Sequence, residues 1–363
     1  MISLAKNIIG YKLQRNFGFP RIMPNNVAIA VTNKCNSLCK TCMIGKIYRE
    51  NPKIAENELS LEEYKKIFRS LKKVYWFVVT GGEPLLREDI IDIVESGYKI
   101  CKPKIIVIPT NCLLGSKVIG LKVREIVKKC PKAIISINLS LDEIGDKNDE
   151  IRGIKGDFDK VVEVYNDLKK IKNKNFELGI HTVISKFNVK NIPQIYSYVM
   201  KNLEPDAYIT EIAEKRVELD TMNMDITPNL NDYSASIDFL ISKLKSQKFT
   251  GFTKVKQMSR IKYYELVKRI LKEKKQVIPC FAGISHIQIT PQGDVWCCAV
   301  RGDSFGNLRE NDYNVKKVLF SEKALKIKKS IYKKECYCPI ANIMYSNMLC
   351  NFKSALKIVF DVV

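Results

Sequence analysis

Three cysteines, Cys35, Cys39 and Cys42, fall within eight residues of the chain. A structural zinc site normally has four protein ligands, and an electron-transfer iron–sulfur cluster is normally held by four cysteines. No fourth Cys or His lies near this loop, so three thiolates would hold three irons of a cubane cluster and leave the fourth iron open. The spacing therefore predicts a cluster that binds a further molecule. A metal-free cysteine group or a zinc knuckle is the alternative.

A Gly-Gly-Glu motif, Gly81, Gly82 and Glu83, follows residues 74–79, whose β-branched and aromatic side chains predict a strand. Glycines at a strand end let the backbone approach a ligand closely, and a carboxylate there can accept a charge-assisted hydrogen bond from an ammonium group. An ordinary Gly-Gly turn is the alternative when the motif is considered alone. Its place after the cysteine loop favours the ligand-binding interpretation.

Polar residues also follow the next two apolar runs. Asn111 comes shortly after residues 105–108, Ser140 and Asp142 lie at the end of residues 134–141, and Arg152 follows ten residues after Asp142. Each of them falls at the carboxyl end of a predicted strand or in the loop after it. Parallel α/β barrels place their active sites at that end, so we expect these residues to converge.

The C-x3-C-x2-C spacing, followed in order by these motifs, resembles the radical S-adenosylmethionine (SAM) superfamily. The resemblance implies that a [4Fe-4S] cluster on Cys35, Cys39 and Cys42 binds SAM through its open iron and cleaves it to a 5′-deoxyadenosyl radical. That radical would abstract hydrogen from a substrate. The SAM contacts that the resemblance implies are Gly81, Gly82, Glu83, Asn111, Ser140, Asp142 and Arg152.

The chain departs from the family pattern at four positions. Cys112 and Glu143 stand where glycine is usual, Asn148 replaces a histidine, and Thr41 occupies a position that is usually aromatic. The last change weakens a contact expected to pack against adenine but leaves the cluster ligands intact.

A second group of cysteines lies in the last quarter of the chain. A predicted hairpin at residues 287–298, with Gly293 and Cys298, resembles the SPASM/twitch extension of radical SAM enzymes, which holds auxiliary iron–sulfur clusters. The resemblance implies one auxiliary [4Fe-4S] cluster, and a zinc site on the same residues is the alternative. Its expected ligands are Cys280, Cys298, Cys336 and Cys338, with Cys297 and Cys350 as substitutes. The isolated thiols, which we expect to be buried in apolar surroundings, are Cys101, Cys112 and Cys130.

Apolar runs alternate with helical patterns through the first 212 residues, which predicts βαβ units and a parallel sheet. Together with the resemblance, this alternation predicts an α/β fold: a partial (β/α)6 TIM-type barrel with a small C-terminal β-containing, Cys-rich domain. The predicted strands are residues 27–31, 74–79, 105–108, 134–139, 178–184 and 207–212. The expected divisions are a helical lead-in (1–24), the barrel core (25–215), a helical connection (216–279) and the auxiliary-cluster domain (280–363).

The composition of the chain limits the binding partners and the cellular location that the sequence predicts. No apolar run approaches the roughly 20 residues of a membrane span, and no export signal is evident. Twelve cysteines without such a signal predict metal ligands in a reducing cytoplasm. The net charge of +22 comes from 49 Lys and 12 Arg spread along the chain, without a nucleic-acid-binding motif. We therefore expect no nucleic-acid partner, and peripheral membrane contact has no support in the sequence.

The resemblance also implies a reduced ferredoxin or flavodoxin as electron donor and an auxiliary cluster that accepts an electron from the substrate. Such an oxidation needs a base, for which Asp142, His181 and Glu211 are candidates at strand ends. The first hypothesis is oxidation or rearrangement of a polar small molecule or a linked sugar, because only 34 residues precede Cys35 and leave no room for a peptide-recognition domain. Modification of a peptide or protein side chain, and a non-catalytic Fe–S electron carrier, are the alternatives; RNA modification rests on charge alone.

Overall fold

The computed structural model describes residues 2–247 and 251–360. Met1 and residues 248–250 and 361–363, which the sequence assigned to the lead-in, the connection and the auxiliary domain, lie outside the described residues. The strands are β1 Asn26–Ala30, β2 Trp76–Thr80, β3 Ile105–Thr110, β4 Ile134–Ser140, β5 Phe176–Ile184, β6 Ala207–Ile212, β7 His286–Ile289, β8 Asp294–Trp296 and β9 Ser304–Asn307. The helices are α1 Ile2–Phe17, α2 Ile44–Glu50, α3 Leu61–Leu71, α4 Ile90–Cys101, α5 Gly115–Lys129, α6 Asp146–Arg152, α7 Asp157–Leu168, α8 Ile192–Tyr198, α9 Leu230–Ser246, α10 Gly251–Glu273, α11 Val315–Leu319, α12 Glu322–Tyr332, α13 Ala341–Cys350 and α14 Phe352–Phe360.

The described strands form one sheet in the order β6-β5-β4-β3-β2-β1-β7-β8-β9. The first six strands are parallel to their neighbours, and helices connect them in the manner of βαβ units. The sheet does not close on itself, so the α/β fold with a partial barrel is confirmed. All the predicted polar motifs follow the carboxyl ends of these strands.

The C-terminal hairpin is more closely joined to the barrel than the sequence predicted. We expected it to belong to a separate small domain, but β7 pairs in parallel with β1, from Asn26 beside His286 to Ile29 beside Ile289. Every residue of β1 and β7 is buried. A buried strand without a neighbour would leave its backbone groups unpaired, and β7 satisfies them on the open side of β1.

Two short helices near the predicted site, α2 and α6, were not predicted. Each has seven residues, which is too short for a clear 3.6-residue apolar period. Among the longer helices, α3 begins at a capping box in which Ser60 accepts a hydrogen bond from the backbone N–H of Glu63, whose carboxylate accepts one from the backbone N–H of Ser60.

The same Glu63 joins the barrel to the C-terminal region. Its carboxylate accepts hydrogen bonds from Arg309 at 2.6 Å and from the hydroxyl of Tyr313 at 2.9 Å. Arg309, through its hydrogen bonds, lowers the pKa of Glu63 to about 2. This ion pair and the β1–β7 pairing hold the hairpin against the barrel.

We expect His286, buried at the start of β7, to make stability depend on pH. Burial lowers its pKa to about 4, and its Nδ1 has no hydrogen-bond partner among the described residues. Between about 6.5 and about 4 the unfolded chain binds a proton that the folded protein does not, so this contribution to stability is lost as the pH falls. Urea unfolding of wild type and His286→Gln across this window measures the effect. As the pH falls, the free energy of unfolding of the wild type should decrease relative to that of the variant. A difference that does not change with pH would contradict this.

Candidate active site

The cysteine loop lies between β1 and α2, at the carboxyl end of the first strand. Burial raises the pKa of the Cys35 thiol to about 11 and raises that of Cys42 further still. Both thiols interact electrostatically with Cys39, whose Sγ lies 3.1 Å from the hydroxyl of Ser37. The structure therefore brings the three predicted ligands together on one loop. Their thiolates need a nearby positive charge to form.

Glycines from three different segments pack directly on the backbone of this loop. A Cβ at Gly82 would collide with the carbonyl oxygen of Lys34, one at Gly45 with that of Ser37, and one at Gly153 with that of Leu38. Gly153 also has a φ of 72°, which a residue with a side chain rarely adopts. Thus Gly82, which the sequence singled out, supports the cysteine loop. Gly153, next to Arg152 at the end of α6, does the same, and so does Gly45 of α2, which sequence reasoning missed.

Backbone hydrogen bonds fix the same contacts. The N–H of Glu83 donates to the carbonyl of Lys34 at 2.8 Å, and the N–H of Leu38 donates to that of Arg152 at 3.0 Å. Gly81, with a φ of 130°, lies against the backbone of Thr32. The cysteine loop is therefore held by backbone contacts with the segments after β2 and α6.

Glu83 is buried and joins the ends of β2 and β3. Its carboxylate accepts hydrogen bonds from the backbone N–H of Asn111 at 2.7 Å and of Leu85 at 3.1 Å. Burial raises its pKa to about 7. Asn111 in turn donates from its side chain to Asn36 at 2.8 Å and lies 3.9 Å from the Cys35 Sγ. Both predicted SAM contacts therefore lie beside the cysteine loop, and Glu83 has a structural role as well.

Arg152 is a buried cation beside the cysteine loop. Its Nη1 donates to Asp142 at 3.2 Å, and its charge interacts with the thiolate of Cys39. Its Nε has no hydrogen-bond partner among the described residues, and Asp157 lies 3.9 Å from it. An unpartnered, buried guanidinium N–H next to a set of thiols fits a site that receives an anionic group such as the SAM carboxylate.

Asp142 is fully engaged by the protein. Besides Arg152, it accepts a hydrogen bond from the backbone N–H of Val183 at 2.8 Å, which ties β4 to β5. The departures Glu143 and Asn148 take part in the same support: Asn148 accepts from the N–H of Asp142 at 2.9 Å and donates to Asp157 at 2.8 Å. Ser140, the other predicted contact, pairs in register with His181.

His181 and Glu211 face each other across β5 and β6. The Nε2 of His181 lies 4.0 Å from Glu211, and both side chains keep some exposure to solvent. Burial lowers the pKa of His181, which therefore favours the neutral imidazole. Burial raises the pKa of Glu211, but the charges of Arg216 and His181 outweigh burial and hold that pKa below its ordinary value. The two base candidates therefore form a pair, and His181 also interacts electrostatically with Asp142 and Arg152.

Three further charged residues beyond β6 escaped the sequence analysis: Glu214, Arg216 and Glu218. Arg216 contacts Glu211 at 3.1 Å and Glu214 at 3.5 Å, and Gln288 of β7 donates to Glu218 at 2.6 Å. Glu214 is buried, its Oε1 accepts no hydrogen bond among the described residues, and burial raises its pKa to about 8. The signal that could have found them is their position directly after a strand end.

The segment 213–221, which we call the bridging segment, contacts both groups of cysteines. The N–H of Met43, next to Cys42, donates to Leu219 at 3.0 Å. On the other side the N–H groups of Val217 and Glu218 donate to Val300 and Ala299, each at 3.1 Å. Its charged side chains therefore lie between the cysteine loop and the C-terminal cysteines.

The C-terminal cysteines form a second group. Cys280 interacts electrostatically with Cys298 and Cys336, and Cys338 interacts with Cys280 and Cys298. A small cavity is lined by Cys280, Cys336 and Cys338 together with mostly apolar side chains. Three thiols lining an apolar cavity, with Cys298 close enough to interact with two of them, fit an iron–sulfur cluster. Among the described residues no three His, Cys, Asp or Glu side chains are grouped as they would be around a single metal ion.

Two arginines lie next to this group. The backbone N–H of Arg301 lies 3.5 Å from the Sγ of Cys298, and its side chain lies 3.6 Å from the Sγ of Cys336. Arg15 of α1 donates to the carbonyl of Cys280 at 3.1 Å. These contacts supply the positive charge that clustered thiolates require.

The structure separates the two substitute ligands. Cys297 is buried with its Sγ 3.9 Å from that of Cys298, so it adjoins the group. Cys350 packs instead with Tyr11, Phe281 and Ile284 in a satellite apolar cluster. The three isolated thiols are buried, as predicted: Cys101, Cys112 and Cys130.

Comparisons with known proteins identify both parts of the chain. Residues 29–199 match the family model described as the radical SAM superfamily, and residues 280–339 match the SPASM iron–sulfur cluster-binding domain. Similar curated proteins include Fe-coproporphyrin III synthase of Methanosarcina barkeri (27% identical, over 61% of this chain and 52% of that protein) and GTP 3',8-cyclase of Clostridium perfringens (32% identical, 48% and 51%). The chain spans about half the length of these relatives.

Two more comparisons extend over most of the chain. The subtilosin biosynthesis protein AlbA of Bacillus subtilis is 24% identical over 80% of this chain and 59% of that protein. SuiB of Streptococcus suis bound to S-adenosylmethionine has a TM-score of 0.57 at 17% identity, over 90% of this chain and 72% of SuiB, which shows a common fold. The cofactors of such proteins are SAM with a [4Fe-4S] cluster and, on the SPASM domain, auxiliary iron–sulfur clusters. The chain therefore contains a radical SAM domain at residues 29–199 and a SPASM domain at residues 280–339, as its motifs predicted.

Proposed function

We propose that this protein cleaves SAM reductively and abstracts hydrogen from a polar small molecule or a linked sugar, which is then oxidised or rearranged. The observation that carries the proposal is the bridging segment, which places Glu214, Arg216 and Glu218 between two groups of thiols. A substrate held there would lie within reach of both cofactors. Carboxylates and a guanidinium suit hydroxyl, amine or phosphate groups rather than an apolar ligand.

The residues of the chain have distinct roles in this proposal. Cys35, Cys39 and Cys42 would hold the [4Fe-4S] cluster, and the remaining iron would be free for the amino and carboxylate groups of SAM. The residues proposed to contact SAM are Gly81, Gly82, Glu83, Asn111, Ser140, Asp142 and Arg152. Arg152 is suited to the carboxylate because it is buried, charged and has an unpartnered Nε. When bound, cluster and SAM together supply a 5′-deoxyadenosyl radical that removes a hydrogen atom from a C–H bond.

His181, supported by Glu211, is the base that the contacts favour. Because burial keeps its imidazole neutral, Nε2 or Nδ1 is able to accept a proton, and the ionised Glu211 would then stabilise the imidazolium. Asp142 is a weaker candidate, since both of its oxygens already accept hydrogen bonds from Arg152 and Val183.

The auxiliary cluster is proposed to be a single [4Fe-4S] cluster held by Cys280, Cys298, Cys336 and Cys338. Four protein ligands leave no open iron, which favours an electron acceptor over a substrate-binding cluster. The donor to the SAM cluster is proposed to be a reduced ferredoxin or flavodoxin in the cytoplasm.

Modification of a peptide side chain is the second candidate. It is supported by the similarity to AlbA, a bacteriocin biosynthesis protein, which extends over 80% of this chain. A non-catalytic electron carrier is less well supported, because it would not need the Gly82 contact with the cysteine loop or the unpartnered Nε of Arg152.

Deuterium transfer would test the proposal even while the substrate is unidentified. We would grow the source cells in heavy water, separate the extract into small-molecule and polypeptide fractions, and supply each to reconstituted, dithionite-reduced protein with SAM. Because the adenosyl radical takes its hydrogen from the substrate, we expect mass-spectrometric detection of deuterated 5′-deoxyadenosine with the small-molecule fraction.

Two matched cysteine variants test whether the deuterated 5′-deoxyadenosine is formed by the cluster on the cysteine loop. Cys39→Ala should abolish 5′-deoxyadenosine formation, whereas Cys101→Ala, at a buried thiol away from both groups, should retain it. Deuterium only from the polypeptide fraction would replace the first candidate with the second. A protein that binds iron but does not cleave SAM would favour the function of a non-catalytic electron carrier.

The auxiliary assignment predicts different iron contents for two cysteine variants. Cys280→Ala should lose about four irons per chain while SAM cleavage without substrate persists, because only the second cluster is affected. Cys350→Ala, at a thiol in the satellite cluster, should keep its full iron content. Measured iron and sulfide after anaerobic reconstitution checks both. An equal iron content in wild type and Cys280→Ala would show that this ligand set is wrong. Zinc instead of iron at this site in the wild-type protein would show that the site has no redox role.

A further inference from the structure

Helix α1 presents apolar side chains to solvent. Ile9, Leu13 and Phe17 follow one another at intervals of four residues, so they lie on one face, and Ile9 and Phe17 are 60% and 76% exposed. The opposite face, with Tyr11 and Gln14, is buried against the protein. A surface helix normally turns polar residues toward water, so the outer face of α1 lacks the expected polarity.

Two residues near the C-terminal end of the described chain extend this surface. Leu349 of α13 and Phe352 of α14 are exposed, the latter by 65%. The Nζ of Lys12 lies 5.8 Å from the ring centre of Phe352, and Cys350, between the two residues, packs on Tyr11 of α1. We call Ile9, Leu13, Phe17, Leu349 and Phe352 the apolar patch. Its members come from distant parts of the sequence, and exposed apolar side chains on adjacent helices are typical of an interaction site.

The charged residues of α1 and α14, the helices that carry most of the apolar patch, are all basic. Lys6 and Lys12 lie on α1 and Lys353 lies beside Phe352. Residues 1–49 contain no Asp or Glu, and neither do residues 336–360, although the whole chain has 39 acidic residues. An apolar surface edged by lysines is complementary to a bilayer with anionic headgroups, where apolar side chains enter the interface and lysines meet the phosphates.

We propose that the apolar patch docks this protein on the surface of an anionic lipid bilayer. Among residues 2–247 and 251–360, no helix is long and apolar enough to cross a membrane. The inference is independent of the substrate, because the patch contains none of the residues proposed to bind SAM or either cluster. It also gives part of the +22 charge a role that the sequence alone did not assign.

Vesicle co-sedimentation of the full chain would test the proposal. We would compare vesicles of phosphatidylcholine with vesicles containing about 30 mol % phosphatidylglycerol, at low and high salt. We expect binding to the anionic vesicles that weakens with salt, because exposed charges are screened. The double variant Phe17→Ser/Phe352→Ser should lower the partition constant about tenfold or more, since two aromatic side chains no longer enter the interface.

Leu121→Ser, at a residue of α5 that is 64% exposed outside the patch, is the matched control and should bind like wild type. All the substituted side chains are exposed, so SAM cleavage and thermal stability should stay unchanged in every variant. Three results would overturn the proposal: no binding to the anionic vesicles, an equal loss in Leu121→Ser, or a dimer in light scattering that the double variant dissociates. The last would show that a second copy covers the patch. Because SAM cleavage is measured separately, none of these results depends on the proposed reaction.

Discussion

The structure depends on one close contact, the packing of glycines against the backbone of the cysteine loop. Gly45, Gly82 and Gly153 come from three segments, and at each of them a Cβ would occupy the place of a loop carbonyl oxygen. A cubane cluster tolerates little variation in the positions of its ligands, and cysteines on a free loop would have to be ordered when the cluster binds. Here the ordering is done by folding, because β2, α2 and α6 bring the glycines to the loop.

The bridging segment extends this arrangement to the second group of cysteines. It hydrogen-bonds to the residue after Cys42 on one side and to the hairpin carrying Cys298 on the other. The parallel pairing of β7 with β1 makes the hairpin a continuation of the barrel sheet. The separation of the two cysteine groups is therefore set by hydrogen bonds and sheet register.

Much of this could be predicted from the sequence, and the limits have physical reasons. The six core strands and the cysteine loop follow local signals: apolar runs, glycine positions and cysteine spacing. The pairing of β7 with β1 was missed because partners 260 residues apart (Asn26 and His286) leave no local pattern. Glu214, Arg216 and Glu218 were missed because nothing in the local sequence distinguishes them from other charged residues of a loop, whereas in the structure they contact one another and β7. Cys350 resembled a ligand by proximity in sequence, yet its helix directs it toward α1.

The central claim is that the glycine-supported loop holds a cluster with one iron open to SAM. Mössbauer spectroscopy of protein reconstituted with iron-57, recorded with and without SAM, measures this directly. The account predicts that SAM changes the isomer shift of a single iron site, because only one iron lacks a cysteine ligand, and that Cys39→Ala shows no such change. A spectrum that SAM leaves unaltered in the wild-type protein, with full iron loading, would contradict it.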